Sequence, residues 1–244
     1  MKKIALIPAR YASTRFPAKL LQPLGDKSVI ATVYNAVRAT ALFDDVVVVT
    51  DNDAIEADIK KQDGTVVRSK KEHESGSDRI AEAVADMDVE VVVNVQGDTP
   101  FIQEEPLRQL LLQFEDPEVQ VASLMQEIKD ESLLHNPNCV KVCVDNRNNS
   151  LFFSRSLIPF PRSNSKPVVH YKHIGVYAFR KKALMAFTTW PVGTLEDIEK
   201  LEQLRYLENG IPLRMVRTEF ESVEIDTAED LERARAFLSQ KYKV

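Results

Sequence analysis

Two valine-rich runs restrict this chain more than any other feature. Val46-Val-Val-Val-Thr50 and Val91-Val-Val-Asn-Val95 are apolar almost throughout. A strand with one wet face alternates apolar and polar residues. A run without that alternation needs cover on both faces, as in a parallel sheet with helices packed on each side. The rest of the first half follows the same plan. Strands are predicted at Lys3–Ile7, Val46–Thr50, Thr65–Arg68, Val89–Val95 and Val119–Met125. Helical patterns lie at about Ser28–Leu42, Ala54–Lys61, Ser77–Met87 and Glu105–Phe114. Such alternation predicts an α/β fold, with a mixed, mostly parallel sheet and helices on both faces.

The rhythm changes after Leu133. Val140–Val144, Leu151–Ser154 and Val168–Phe179 read as strands with no long helix between them, and Ser156–Lys166 is rich in Pro and Ser. Residues 133–175 are therefore expected to form a small β-rich lobe inserted into a single domain spanning 1–244, a length that suffices for one α/β domain with an appendage. Leu195, Ile198, Leu201, Leu204 and Leu207 form a helical stripe stopped by Gly210, and Thr194-Leu-Glu-Asp197 opens it like a capping box with Asp in the Glu position. Glu221–Ile225 is predicted as a last strand, and Asp226–Thr227 as the cap of a final helix from Ala228 to about Leu238.

The net charge of −5 argues against a nucleic-acid partner, which usually demands a basic excess. No apolar run approaches the length of a membrane span. Met1-Lys-Lys leads straight into the first strand with no long apolar leader, so a cytoplasmic location is expected. Cys139 and Cys143 fall on one face of a strand and read as small core residues rather than a disulfide or a metal pair.

Chemistry-bearing residues gather after strands. The first strand stops at Pro8 and runs into a loop carrying Arg10, Arg15 and Lys19 before the first helix. Neither common glycine-rich phosphate motif is present, so any anion held there must be met mainly by side chains. Asp98 follows the run ending at Val95, past the carboxyl edge where open α/β sheets bind ligands. A carboxylate there suits magnesium, and a turn or cap role is the plain alternative. Asp226 has the same placement, with an N-cap as its plain reading. In His73-Glu-Ser-Gly-Ser-Asp-Arg79, Ser75 or Ser77 can cap a helix whose first turn holds Arg79. A cation there opposes the helix dipole at a cost of roughly 0.3–1 kcal/mol unless an anion answers it. Glu82 is the local candidate for that anion, and a bound anion is the functional one. Tyr171, His173, Gly175 and Tyr177 share a strand face that suits a hydroxylated ligand or, more plainly, a half-buried hydrogen-bonded wall. Arg155 follows an aromatic strand and suits a substrate carboxylate or an interface.

The segments IALIPARYASTRFPAK, HESGSDR, VNVQGD, PNCVKV, FFSRSLIPFPR, YKHIGVYAFR, LEDIEKLEQLRYLENG and VEIDTAEDL occur in this order along nearly the whole chain. Together they resemble the 3-deoxy-D-manno-octulosonate (Kdo) cytidylyltransferase family, the CMP-Kdo synthetases. The resemblance implies a Rossmann-like nucleotidyltransferase fold with a dimerisation lobe, a homodimer, Mg²⁺ as cofactor, and CTP and a Kdo-type sugar acid as partners. It implies transfer of CMP to the sugar, with release of pyrophosphate, for lipopolysaccharide biosynthesis. It further implies nucleotide contacts from Pro8, Ala9, Arg10, Lys19, Ser75, Gly76, Arg79 and Gln96. The sugar acid would meet Arg15, Gln96, Arg155, His173, Tyr177 and Glu202. Asp98 and Asp226 would be the metal carboxylates, acting in catalysis with Arg10 and Lys19.

Ala18 stands where the family has Gly, and Thr99 where it has an acid. A variant sugar acid such as 8-amino-Kdo is accordingly the alternative substrate, and a sialic acid cytidylyltransferase or a non-catalytic nucleotide-binding regulator are the competing classes.

Overall fold

The computed structural model describes residues 1–11, 16–71, 73, 75–163, 168–220 and 223–241, with the backbone alone at 240–241. The chain divides into two compact units, Met1–Glu104 with Glu221–Val244, and Glu105–Phe220.

The first unit opens with β1 (Lys3–Pro8), a single 3₁₀ turn at Lys19–Leu21, and the short strands β2 (Pro23–Leu24) and β3 (Lys27–Ser28). It continues through α1 (Val29–Ala39), β4 (Asp45–Thr50), α2 (Asp53–Lys60), β5 (Thr65–Arg68), α3 (Gly76–Val84) and β6 (Val91–Asn94). The strands lie in the order β6-β1-β4-β5, and all three pairings are parallel. Leu6 sits beside Val47 on one side and Asn94 on the other. Ile4–Ile7, Val46–Thr50 and Val91–Val95 are buried residue after residue, so both faces of these strands are covered. Burial of each such Val, Leu or Ile contributes about 1.5–3 kcal/mol. The helices begin at caps that the residue types dictate. The Ser28 hydroxyl accepts from the Ala31 N–H, Asn52 from those of Ala54 and Ile55, and Ser75 from that of Asp78.

The second unit holds α4 (Glu104–Leu112), β7 (Val121–Glu127), β8 (Lys141–Val144), β9 (Ser150–Ser154), β10 (Tyr171–Arg180), α5 (Lys181–Phe187), α6 (Thr194–Glu199), α7 (Leu204–Glu208) and β11 (Leu213–Arg217). Here β7 pairs β11 in parallel and β10 antiparallel, while β8 joins the start of β10 and β9 joins β8, both antiparallel. The β10 register jumps between Ile174 and Tyr177, against Leu124 and Ser123. The hydroxyl of the wholly buried Ser123 lies 2.9 Å from the Val176 carbonyl oxygen and 3.2 Å from that of Ile174, so its one proton serves the carbonyls of the bulge. Lys141 is also wholly buried. Its ammonium donates to the carbonyl oxygens of Asn136 (3.0 Å), Cys139 (2.7 Å) and Arg155 (2.6 Å). The chain returns to the first unit for α8 (Ala228–Lys241).

Three sequence expectations need correction. The stripe from Leu195 to Leu207 is not one helix, because Lys200 adopts a left-handed conformation between α6 and α7. The break has a physical cause: Arg155 donates to the carbonyl oxygens of Glu199 (2.7 Å) and Lys200 (3.3 Å), taking up the end of α6. Ile198 is consequently 73% exposed rather than core. The cap of α6 is Gly193, whose N–H donates to the Glu196 carboxylate, and not Thr194. Residues 223–226 form no strand, and 221–222 lie outside the described residues. Within this segment the Ile225 N–H donates to the Asp98 carbonyl oxygen at 3.0 Å. The expected cap of the last helix is present in full: Thr227 Oγ1 accepts from the Asp230 N–H, and Asp230 accepts from that of Thr227. Strand β11 and helix α5 were not anticipated. Cys139 and Cys143 are half-buried and unbridged.

Candidate active site

The site of the first unit is assembled by backbone contacts at the carboxyl edge of its sheet. Pro8 ends β1, and the Ala9 N–H continues the ladder to the Val49 carbonyl oxygen at 2.9 Å. The loop after β6 passes so close to this point that a methyl group at Gly97 would lie 3.1 Å from the Pro8 carbonyl oxygen. A glycine here lets the two backbone segments pack this closely without displacing either. The bond from Ile225 to Asp98 then brings residue 226 to the same loop, and Phe237 of α8 packs its ring 4.7 Å from that of Phe101.

Asp98 and Asp226 meet at one cation. Lys19 Nζ lies 2.6 Å from an Asp98 oxygen and 2.9 Å from an Asp226 oxygen. Burial alone would lower the lysine pKa, but the two carboxylates outweigh it and hold the pKa above its usual value. Lys19 is presented by the 3₁₀ turn that follows Ala18, which is itself in the left-handed region at φ 53° and ψ 28°. Two carboxylates that one ammonium can touch together are a donor pair that fits a hard divalent cation, with phosphate oxygens and water completing its shell. No larger cluster of His, Cys, Asp or Glu suited to a metal occurs among the described residues.

The other nucleotide candidates divide. Arg10 is exposed on the loop, Pro8 and Gln96 are half-buried, and Arg15 lies outside the described residues. Ser75 caps α3 and also donates to the Asp78 carboxylate at 2.8 Å, with Gly76 as the first helical residue. Arg79 is buried. The anion answering it is Asp51, at 3.1 Å, and Ser69 Oγ accepts from it at 2.9 Å. Glu82 instead receives His73 Nε2 at 2.8 Å. Asp51 follows β4 just as Asp98 follows β6, so the rule that singled out Asp98 would have found it. Thr99 is buried, at a place where a carboxylate would have to be desolvated.

The remaining sugar candidates, Arg155, His173, Tyr177 and Glu202, belong to the second unit. His173, Tyr177 and Phe179 of β10 form a chain of ring contacts running on through Tyr206 to Phe187 and Trp190. His173 Nε2 lies 2.9 Å from Ser123 Oγ, and burial pushes its pKa down to about 3, so the imidazole is neutral. Tyr177 donates to Gln203 at 3.3 Å, while Glu202 is exposed. Arg155 is clamped: besides the carbonyl oxygens at the end of α6, it donates to that of Pro137 at 2.9 Å, and its own N–H donates to the Glu199 carboxylate at 2.9 Å. A guanidinium has five N–H donors, so three carbonyl bonds leave two for a ligand. Sequence reasoning missed Lys141, Glu199 and Gln203.

A parallel sheet whose carboxyl edge gathers a lysine and two aspartates is the framework of a nucleotidyltransferase. The family model described as cytidylyltransferase matches residues 4–241. The 3-deoxy-manno-octulosonate cytidylyltransferase of Flavobacterium johnsoniae is 58% identical, over 98% of this chain and 99% of its own. That of Christiangramia forsetii is 53% identical, over 97% and 96%. A solved structure of CMP:2-keto-3-deoxy-manno-octonic acid synthetase complexed with CTP superposes with a TM-score of 0.94 at 34% identity, covering 99% of this chain and all of that one. A 4-diphosphocytidyl-2C-methyl-D-erythritol synthase from Anaerococcus prevotii shares the fold, at TM-score 0.66 and 19% identity. The chain belongs to the cytidylyltransferases and, within them, to the 3-deoxy-manno-octulosonate cytidylyltransferase family. No helix among the described residues is long and apolar enough to cross a membrane.

Proposed function

We propose that this protein transfers the cytidylyl group of CTP to the anomeric hydroxyl of Kdo, giving CMP-Kdo and pyrophosphate for lipopolysaccharide synthesis. The structural observation that carries the reading is the convergence of Lys19, Asp98 and Asp226, on a chain related over its whole length to enzymes named for this activity. The sugar hydroxyl attacks the α-phosphorus in line. The new oxygen–phosphorus bond forms as the bond to the bridging oxygen breaks, pyrophosphate leaves with that electron pair, and the hydroxyl proton passes to solvent. No protein nucleophile is needed, so catalysis is positioning and charge stabilisation.

Asp98 and Asp226 are the residues that would hold Mg²⁺, which when bound would neutralise phosphate charge and favour the ionised sugar hydroxyl. Arg10 and Lys19 neutralise the leaving pyrophosphate. Pro8, Ala9, Ser75, Gly76 and Gln96 shape the nucleotide end, where Arg79 acts from within by fixing α3 to Asp51. In the second unit, the two spare donors of Arg155 take the sugar carboxylate, and Tyr177, neutral His173 and Glu202 meet its hydroxyls. Arg15 and Gln96 serve the sugar as well. We place the reaction in the cytoplasm, where CTP is available, and propose a homodimer formed through the second unit. Its exposed Phe160 (77%) and Leu151 (62%) support self-association.

A pyrophosphate-release assay tests the reading, with Kdo, 8-amino-Kdo and sialic acid each offered with CTP and with UTP. Release is expected with CTP and Kdo. Release with 8-amino-Kdo or sialic acid but not Kdo would move the substrate, and no release with any sugar would overturn the enzyme reading.

A further inference from the structure

Lys19 belongs to the loop read as a phosphate cradle, yet its ammonium sits between Asp98 and Asp226, at 2.6 and 2.9 Å. Those oxygens are the ones a divalent cation would need. The two cations are therefore alternatives, because an ammonium in contact with both carboxylates occupies the space and repels a second positive charge. One ammonium offsets one of the pair's two negative charges, and a divalent ion in its place would offset both. Its side chain is 15% exposed and hangs on a flexible four-carbon stem, so it can withdraw without moving a strand. What would draw it out is an anion of several charges close by, which a nucleotide triphosphate supplies.

We propose that Lys19 is a place-holding cation, which closes the Asp98–Asp226 pair until a polyphosphate draws its ammonium away and opens the pair to a divalent metal. The proposal rests on the reading of these aspartates as metal ligands. Its thermodynamic consequence is coupling: nucleotide raises metal affinity, and metal raises nucleotide affinity by the same factor. Lys19 also serves the fold in the free protein, where its ammonium offsets the repulsion between the two carboxylates.

The test is Mn²⁺ binding to the full chain, read by the electron paramagnetic resonance signal of the free ion, with no turnover involved. Without nucleotide, wild-type protein is expected to bind weakly. Lys19→Met should bind tighter by about tenfold or more, and Asp98→Asn in that background should abolish the gain. Lys19→Arg keeps the charge and should stay weak. Lys19→Gln, also neutral, provides the same test should the methionine variant fail to fold. Equal Mn²⁺ affinity in wild-type and both neutral variants would overturn the proposal. The underlying metal reading fails separately. It falls if CTP-saturated wild-type protein and its Asp98→Asn and Asp226→Asn variants bind Mn²⁺ alike. If those variants lose binding but the neutral Lys19 variants gain none, only the place-holder role falls.

Discussion

Two lysines of this protein are removed from bulk water in opposite ways. Lys19, in the first unit, touches two carboxylates and keeps a partly exposed side chain. Lys141, in the second, is wholly buried, and its three hydrogen-bond partners are neutral carbonyl oxygens. Burial lowers the pKa of Lys141, whereas the carboxylates hold that of Lys19 up. The Lys141 carbonyls belong to residues 136, 139 and 155, so its ammonium ties a loop to the strand end that carries Arg155. Removing the ammonium takes away a charge-assisted donor from each of these carbonyls, a loss that buried acceptors feel in full. The Lys19 carboxylates, in contrast, attract any cation. Exchangeability thus depends on what surrounds a buried charge. A lysine among anions can be swapped for a metal, and one among carbonyls is a strut.

The sharpest way to break this contrast is to neutralise an aspartate. Asp98→Asn removes charge from the Lys19 site while leaving the strand end intact. Turnover should fall by about 10³-fold or more, with the urea midpoint close to wild type. Activity near wild-type level at saturating Mg²⁺ would remove Asp98 from the chemistry. At the other lysine the effect should be on folding. Lys141→Met takes the ammonium from the Cys139 and Arg155 carbonyls, while that of Asn136 keeps the Cys139 N–H, and should cost about 3 kcal/mol in urea denaturation. A loss below about 1 kcal/mol would show that water reaches the pocket and that the ammonium is no strut.

The same contrast explains what could be read from the sequence. The first unit was legible because its signals are local. Valine runs imply strands covered on both faces, Ser28 opens a helical pattern, and Ser75 stands where a cap belongs. Asp98 and Asp226 each follow an apolar segment. Their pairing was not legible, since it depends on one hydrogen bond between residues 98 and 225 and on the direction of one lysine side chain. In the second unit the decisive interactions join residues far apart in sequence. Arg155 ends α6 by taking carbonyls some 44 positions away, which no helical pattern in 194–207 reveals. The motif resemblance placed Arg155, His173 and Tyr177 near a sugar but gave no hint that Ser123 and Lys141 hold their strands. β11, with two arginines in Leu213-Arg-Met-Val-Arg217, carries too weak a strand signal to stand out.

A smaller effect separates the units by pH. In the fold His173 has a pKa near 3, against about 6.5 when unfolded. Below pH 6.5 the unfolded chain takes up a proton that the folded chain refuses. Stability should therefore fall as the pH drops from 6.5 toward 3, by up to about 1.4 kcal/mol per pH unit. His173→Gln should flatten that slope in urea titrations at pH 7 and pH 5. An unchanged slope would mean that His173 can be protonated in place.

The smallest expected effect returns to the loop that presents Lys19. Ala18 holds a left-handed conformation, which costs a residue with a Cβ about 1–2 kcal/mol and a glycine almost nothing. Ala18→Gly relieves that strain but gives the unfolded chain more freedom, which costs about 0.4–1 kcal/mol. The balance should be a stabilisation of roughly 0.5–1 kcal/mol, seen as a higher urea midpoint at unchanged slope. No left-handed residue adjoins the strand of Lys141, where the nearest is Asn148, so the strain belongs to the exchangeable lysine and not to the strut. If Ala18→Gly destabilises the protein instead, the alanine restricts the turn more than it strains it, and Lys19 is held in place by its loop as well as by its charge partners.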